Sequence, residues 1–140
     1  MLLINARRGP SQVHGDGLIA QEFIPAGTRI WRLNPAFDVI LSQSELDRLS
    51  TPARQQLLHY CYFDPRGQTY VLSSDDDRFT NHSDDPNTID EDEGRSSVAI
   101  RDILPGEEIT WNYRGWGNMH CGIARTGETK IEPSYSEAGL

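Results

Sequence analysis

Arg78-Phe79-Thr80-Asn81-His82-Ser83-Asp84-Asp85-Pro86-Asn87 is the stretch on which the reading of this chain turns, and Gly106-Glu107-Glu108-Ile109-Thr110-Trp111-Asn112-Tyr113 answers it further on. Alone, the first segment is loop chemistry: Asn and Ser cap local backbone and Pro fixes φ. The second reads as a strand of β-formers entered from a glycine turn. It is expected to close a hairpin with Ser96–Arg101, on which Val98 and Ile100 share a face.

Working outward, Leu2–Ala6 reads as a short edge strand ended by Arg7-Arg8-Gly9-Pro10. His14-Gly15-Asp16-Gly17-Leu18 is a glycine turn feeding a strand, where absent side chains permit positive φ and close approach of a ligand. Ile24-Pro25-Ala26-Gly27 is a further turn, followed by a strand over Thr28–Leu33. An internal echo is visible: Ala20 to Trp31 and Ala99 to Trp111 both run strand, proline-glycine turn, strand. Two copies are too few for a solenoid, so two similar hairpins in one β-rich domain are expected.

A strand over Phe37–Leu41 leads to Ser42-Gln43-Ser44-Glu45, which has the form of a capping box and opens a helix. Thr51-Pro52 opens a second helix as N-cap and first residue, with Leu57, Leu58 and Cys61 on one face. His59 has no second ligand one turn on and receives no role. A turn at Asp64–Gln68 and a strand over Thr69–Ser73 precede three acidic runs, Asp75–Asp77, Asp84-Asp85 and Asp90–Glu93. None has the alternating ligand spacing of a calcium loop, so they read as solvated loops and no metal is expected.

The chain has 140 residues, a formal net charge of −8 and 36% hydrophobic residues. That composition fits one soluble domain with a real core. No basic stripe exists to neutralise phosphates, so nucleic-acid binding is disfavoured. Acidity serves solubility, and it also suits a basic, lysine-bearing partner. Cys61 and Cys121 lack Cys-x-x-Cys spacing and are expected as free thiols. Neither a signal peptide nor a run of roughly 18 apolar residues is present, so a cytoplasmic location is expected, or a nuclear one in a eukaryote.

Together, the motifs resemble those of SET-domain protein lysine methyltransferases. Gly15-Asp16-Gly17-Leu18 is similar to the family's Gly-x-Gly turn and Ile24–Gly27 to its following Ile-x-x-Gly. Arg78–Ser83 with Pro86-Asn87 resembles its Arg-Phe-x-Asn-His-Ser segment, and Gly106–Tyr113 its Gly-Glu-Glu-Leu-x-x-x-Tyr. The resemblance spans roughly Gly15 to Trp116. It implies a mainly β fold of several small curved sheets around a knot-like core, with a SET domain over 1–116, a helical insert at about 42–62, and a tail over 117–140. It also implies an S-adenosylmethionine-dependent enzyme. Gly15, Asp16, Gly17, Asn81, His82 and Tyr113 would hold the cofactor, Tyr113 would be catalytic, and Trp111 and Trp116 would line the lysine channel.

Departures from the family pattern are informative. Asp84 stands where many members have Cys, and no cysteine cluster follows Tyr113, so the zinc-binding module that often completes the channel is missing. The tail, or a second subunit as in small viral members that dimerise, has to supply that lid. Trp111 occupies a position where Phe or Tyr in some members influences how many methyl groups are added. The rival to the enzyme reading is a catalytically inactive SET-fold protein-binding module.

Overall fold

Glycine turns and β-branched runs divide residues 1–113, those described by the computed structural model, into ten short strands, two α-helices and two single turns of 3-10 helix. Trp116, Cys121 and the tail 117–140 lie outside the described residues. In chain order the elements are β1 (Ala6–Pro10), β2 (Asp16–Ala20), β3 (Arg29–Arg32), β4 (Val39–Leu41), α1 (Gln43–Asp47), α2 (Thr51–Tyr60), β5 (Tyr62–Asp64), β6 (Thr69–Leu72), β7 (Asn81–His82), β8 (Thr88–Glu91), β9 (Ser96–Ala99) and β10 (Glu108–Trp111). They form three small sheets, ordered β1-β2-β10-β7, β3-β9-β8 and β4-β6-β5. The fold is mainly β with a short helical insert, as the sequence implies.

The two echoed units do not form two hairpins. Each lends its first strand to the other's second: β2 pairs antiparallel with β10, and β3 with β9. At the centre, Ile24 and Ile103 exchange backbone hydrogen bonds of 2.9 Å in both directions. The turns are matched in the same way, Gly27 N–H donating to Ala99 C=O at 2.7 Å and Gly106 N–H to Ala20 C=O at 2.8 Å. Gly27 and Gly106 have φ of 85° and 87°, a conformation in which a Cβ is strained. Glu107–Tyr113 is therefore not the hairpin partner of Ser96–Arg101. A period-two pattern fixes which face of a strand is buried, but not which strand lies beside it.

Three further expectations need correction. The first strand is Ala6–Pro10, not Leu2–Ala6. β1 lies at the outer edge of its sheet, where a terminal proline costs no ladder hydrogen bond, and Leu2 instead bridges to Trp31. Helix α2 is capped by Ser50, whose hydroxyl accepts from Ala53 N–H, so Thr51 is already helical. On β9 the buried residues are Ser96 and Ala99, while Ile100 just beyond it is 51% exposed. The pairing of β3 with β9 shifts register between Arg29 and Trp31, and this bulge turns Ile30 and Trp31 both inward.

The main core joins the two exchanged units through Leu18, Ala20, Ile24, Ile30, Trp31, Ala99, Ile103 and Ile109. The insert has its own small core of Leu46, Leu57, Cys61 and Tyr70, and its first helix carries the complete Ser42–Glu45 capping box. Buried Asp64, at the end of β5, accepts from the Arg95 guanidinium at 2.7 Å and ties the insert's sheet to the turn before β9. Ile103→Ala should destabilise by about 2–5 kcal/mol, the cost of truncating a fully buried side chain. Ile100→Ala should stay within about 0.5 kcal/mol. Urea denaturation of both variants checks which isoleucine faces the core.

Candidate active site

Strand β7 is short and polar, yet Asn81 and His82 are both buried, because β7 pairs in parallel with Thr110-Trp111 of β10. The side chain of buried Asn87 extends the same edge. Its Nδ2 donates to Glu108 C=O at 2.8 Å and its Oδ1 accepts from Thr110 N–H at 2.9 Å, as a strand residue's backbone would. Thr88 Oγ1 donates to Thr110 C=O at 2.8 Å. The two motif segments are thus bound to one another through polar groups removed from water, where an unmet partner costs most.

Tyr113 follows directly from this pairing. Its backbone N–H donates to His82 Nδ1 at 3.0 Å, so the imidazole proton sits on Nε2, 2.9 Å from Asp84 Oδ1. The Tyr113 hydroxyl donates to Thr80 C=O at 2.5 Å. The ring is 7% exposed and packs between His82 and Trp111, with centroids 5.3 and 5.1 Å away.

On one side of this junction, Asn81 fastens the loop between β1 and β2. Its Nδ2 lies 2.8 Å from Glu108 Oε1, 2.9 Å from Asp16 C=O, 3.0 Å from Ser11 Oγ and 3.2 Å from His14 C=O. Two N–H groups therefore serve four acceptors. Gly15 has φ of 49°, and a Cβ there would meet no heavy atom within 4 Å. Gly17 has a different use, since a Cβ on it would stand 2.7 Å from Glu108 Cδ. The Asp16 carboxylate is engaged by the Arg8 guanidinium, leaving its backbone toward Asn81. Glu108, which sequence reasoning passed over as one of two adjacent acids, is the hub, both its oxygens accepting from Ser11 Oγ at 2.7 and 2.8 Å. Nothing in the sequence set it apart from Glu107, because the glycine space it fills lies on a strand that only the fold brings beside it.

On the other side lies a cavity of about 70 Å³, room for several waters or a small head group. Tyr113, Trp111, Tyr60, Tyr62 and Trp31 supply aromatic walls, and Asp77 and Asp90 bring carboxylates. Gly15, Asp16, Gly17, Asn81 and His82 do not line it, so the predicted site residues divide between two faces that meet at Tyr113. Burial above all pushes the Asp77 carboxyl up to about 6 and that of Asp90 up to about 7, with Asp77 adding repulsion at Asp90 and the Trp111 indole N–H opposing it by donating to Asp90. Burial and nearby carboxylates likewise push the Tyr62 phenol up, so it stays a donor. Two members of the acidic runs are thus drawn inside rather than solvated. Among the described residues, no group of three His, Cys, Asp or Glu side chains gathers as a metal set.

A family model described as SET domain matches residues 15–114. A comparison with curated proteins found no match. Among solved structures, a candidate histone methyltransferase of Plasmodium falciparum is 19% identical, with a TM-score of 0.56, over 81% of this chain and 96% of that one. Chaetomium thermophilum Polycomb Repressive Complex 2, in an autoinhibited conformation bound to S-adenosylmethionine, is 21% identical with a TM-score of 0.58. The same complex bound to the inhibitor GSK126 is 23% identical with a TM-score of 0.61. The match covers 81% of this chain in the first of these and 83% in the second, but only 15% and 17% of the complex's chain. At these identities the likeness establishes the shared fold.

Folded Asp77 and Asp90 hold protons more tightly than ordinary carboxyls, so their stabilising contribution is complete below the ordinary carboxylate range, about 3.9, and lost as pH rises through about 6 and about 7. The thermal midpoint should therefore fall between pH 5 and pH 8. The double substitution Asp77→Asn, Asp90→Asn should flatten that fall in a melting series across the same range.

Proposed function

Because the chain belongs to the SET-domain family, we propose that it transfers methyl groups from S-adenosylmethionine to the side-chain amine of a lysine in a protein substrate. The observation carrying this reading is the position of Tyr113, held from both ends where the Gly15–Asn81 face meets the aromatic cavity. The residues present fit the cofactor at Gly15, whose open space would admit a ligand against the backbone. They fit it also along β7, the outer strand of its sheet among the described residues. When bound there, the cofactor supplies an electrophilic sulfonium methyl group.

What the protein contributes is chiefly position. The Tyr113 hydroxyl donates to Thr80 C=O, which fixes where its oxygen stands, and a phenol oxygen can accept from an amine N–H. That contact orients the nitrogen without requiring the phenol to ionise. His82 sets the backbone on which Tyr113 stands, and Asn81 sets the loop that carries Gly15. Trp111 walls the cavity beside the reacting amine, and the aromatic lining strips water from it. The net charge of −8 favours encounter with basic, lysine-bearing segments.

Calorimetric titration with S-adenosylhomocysteine should give saturable binding, weakened at least about tenfold by Asn81→Ala, the scale of one lost charge-free hydrogen-bond set. A folded wild-type protein that ignores millimolar ligand would sink the reading. Tyr113→Phe should keep S-adenosylhomocysteine affinity within about twofold and lower turnover of a basic lysine peptide by about 10²–10⁴. Transfer of labelled methyl groups measures the latter, and unchanged turnover removes Tyr113 from the mechanism.

A further inference from the structure

The cavity beside Tyr113 is lined by residues with buried polar atoms that the fold leaves unanswered. Asp90 Oδ2, Tyr62 Oη and Trp31 Nε1 are buried with no hydrogen-bond partner among the described residues, and all three residues line it. Trp31 is only 4% exposed, so its orphan N–H is built into the core and is not a surface accident. Unmet buried donors and acceptors cost stability, and several aimed into one cavity mark a place prepared for something polar.

The two carboxylates of the cavity differ. Asp77 is spent on the turn that carries it: Ser73 Oγ donates to its Oδ2 at 2.9 Å, and its C=O accepts from Thr80 N–H and Oγ1. Asp90 feels the Trp111 indole N–H, which favours its charged form, and its Oδ2 is buried with no partner among the described residues. That indole stands on β10, the strand that leads to Tyr113. Aromatic faces with a carboxylate are the chemistry that receives a desolvated cation.

We propose that Asp90 is the counter-ion and the proton acceptor for the substrate lysine in this cavity. The inference rests on the lysine methyltransferase reading of the site and supplies what that reading lacks, a destination for the ammonium proton. The lysine enters as R–NH3⁺ and is held by Asp90 Oδ2. One N–H bond breaks as an O–H bond forms on Asp90, leaving R–NH2 and a carboxylic acid. The freed nitrogen lone pair then forms the N–C bond to the sulfonium methyl while the C–S pair stays on sulfur. Product leaves as a methylammonium, and Asp90 returns its proton to solvent. Burial that raises the Asp90 carboxyl to about 7 also lowers that of a lysine from its usual value of about 10.4, so the two proton affinities converge where they meet. The other ionisable groups facing the cavity are Asp77 and Arg78 on the turn before β7, Tyr60 on α2, Tyr62 on β5 and Tyr113. Of these, Asp77 acts on Asp90 by raising it.

The test follows the indole N–H resonances of Trp31 and Trp111 during titration of the full chain with n-butylammonium, the head group of lysine. Saturable shifts at pH 8 are expected, with affinity falling at least about tenfold at pH 5.5, where Asp90 is protonated, and equally in Asp90→Asn at pH 8. Asp77→Asn, with its carboxylate already engaged by the turn, should weaken binding by less than about threefold. The second measurement is kcat against pH with a basic lysine peptide: wild type should show an acid limb that Asp90→Asn lacks, at a rate lower by about 10²–10⁴. Affinity indifferent to both pH and Asp90→Asn, or an acid limb surviving in that variant, overturns the assignment. Failure of S-adenosylhomocysteine to bind would instead strike the methyltransferase reading, while the n-butylammonium titration would still decide whether Asp90 receives a cation.

Discussion

The paired hydrogen bonds between Ile24 and Ile103 are the constraint from which the rest of the architecture follows. They hold two similar strand-turn-strand units back to back, so that each completes the other's sheet. β10 is thereby laid against β2, and β7 against β10. That order puts the glycine loop on one side of the strand that leads to Tyr113 and the Asn-His pair on the other. Residues far apart in sequence reach hydrogen-bonding distance because the core exchange has fixed the strands on which they stand.

Around that frame, side chains take over work that backbone does in longer strands. Asn87 substitutes for a strand edge, Asn81 and Glu108 clamp a loop, and His82 receives a backbone N–H. β7 has only two residues, too few to hold position through its ladder alone. A network of buried amides and a carboxylate gives it a single register, and each member is expensive to remove because its partners are already desolvated. Such rigidity suits a reaction in which alignment of nitrogen, carbon and sulfur is the main requirement.

Much of this was legible in the sequence. The turn glycines at 15, 27 and 106, the Ser42–Glu45 capping box and the family motifs all report local chemistry, and local chemistry survives folding. Partner choice was less accessible: Glu107–Tyr113 alternates like any hairpin strand, and nothing in its pattern says that β2 rather than β9 lies beside it. Gly9-Pro10 read as a stop because punctuation is judged along the chain, whereas an edge strand can end on proline. Asp77 and Asp90 were hidden inside charge runs, since composition shows how many acids a loop carries and not which one turns under a tryptophan. Gly17 appeared to serve a ligand, and only the fold reveals Glu108 in the space it leaves. Trp116 and the tail 117–140 fall outside the described residues.

The exchange of strands between the two units also bears on how the chain acquires its structure. Neither unit can close on itself, so loops of some eighty residues must be drawn shut before the central pairing forms, and loop closure and high contact order both slow that search. During synthesis, β2 and β3 emerge well before the strands that will cover them. Their edges stay open until residues 96–111 arrive, a period in which another chain's strand can take the same place. The nascent chain is therefore most exposed to misassembly while its first half is complete and its second half is still being made.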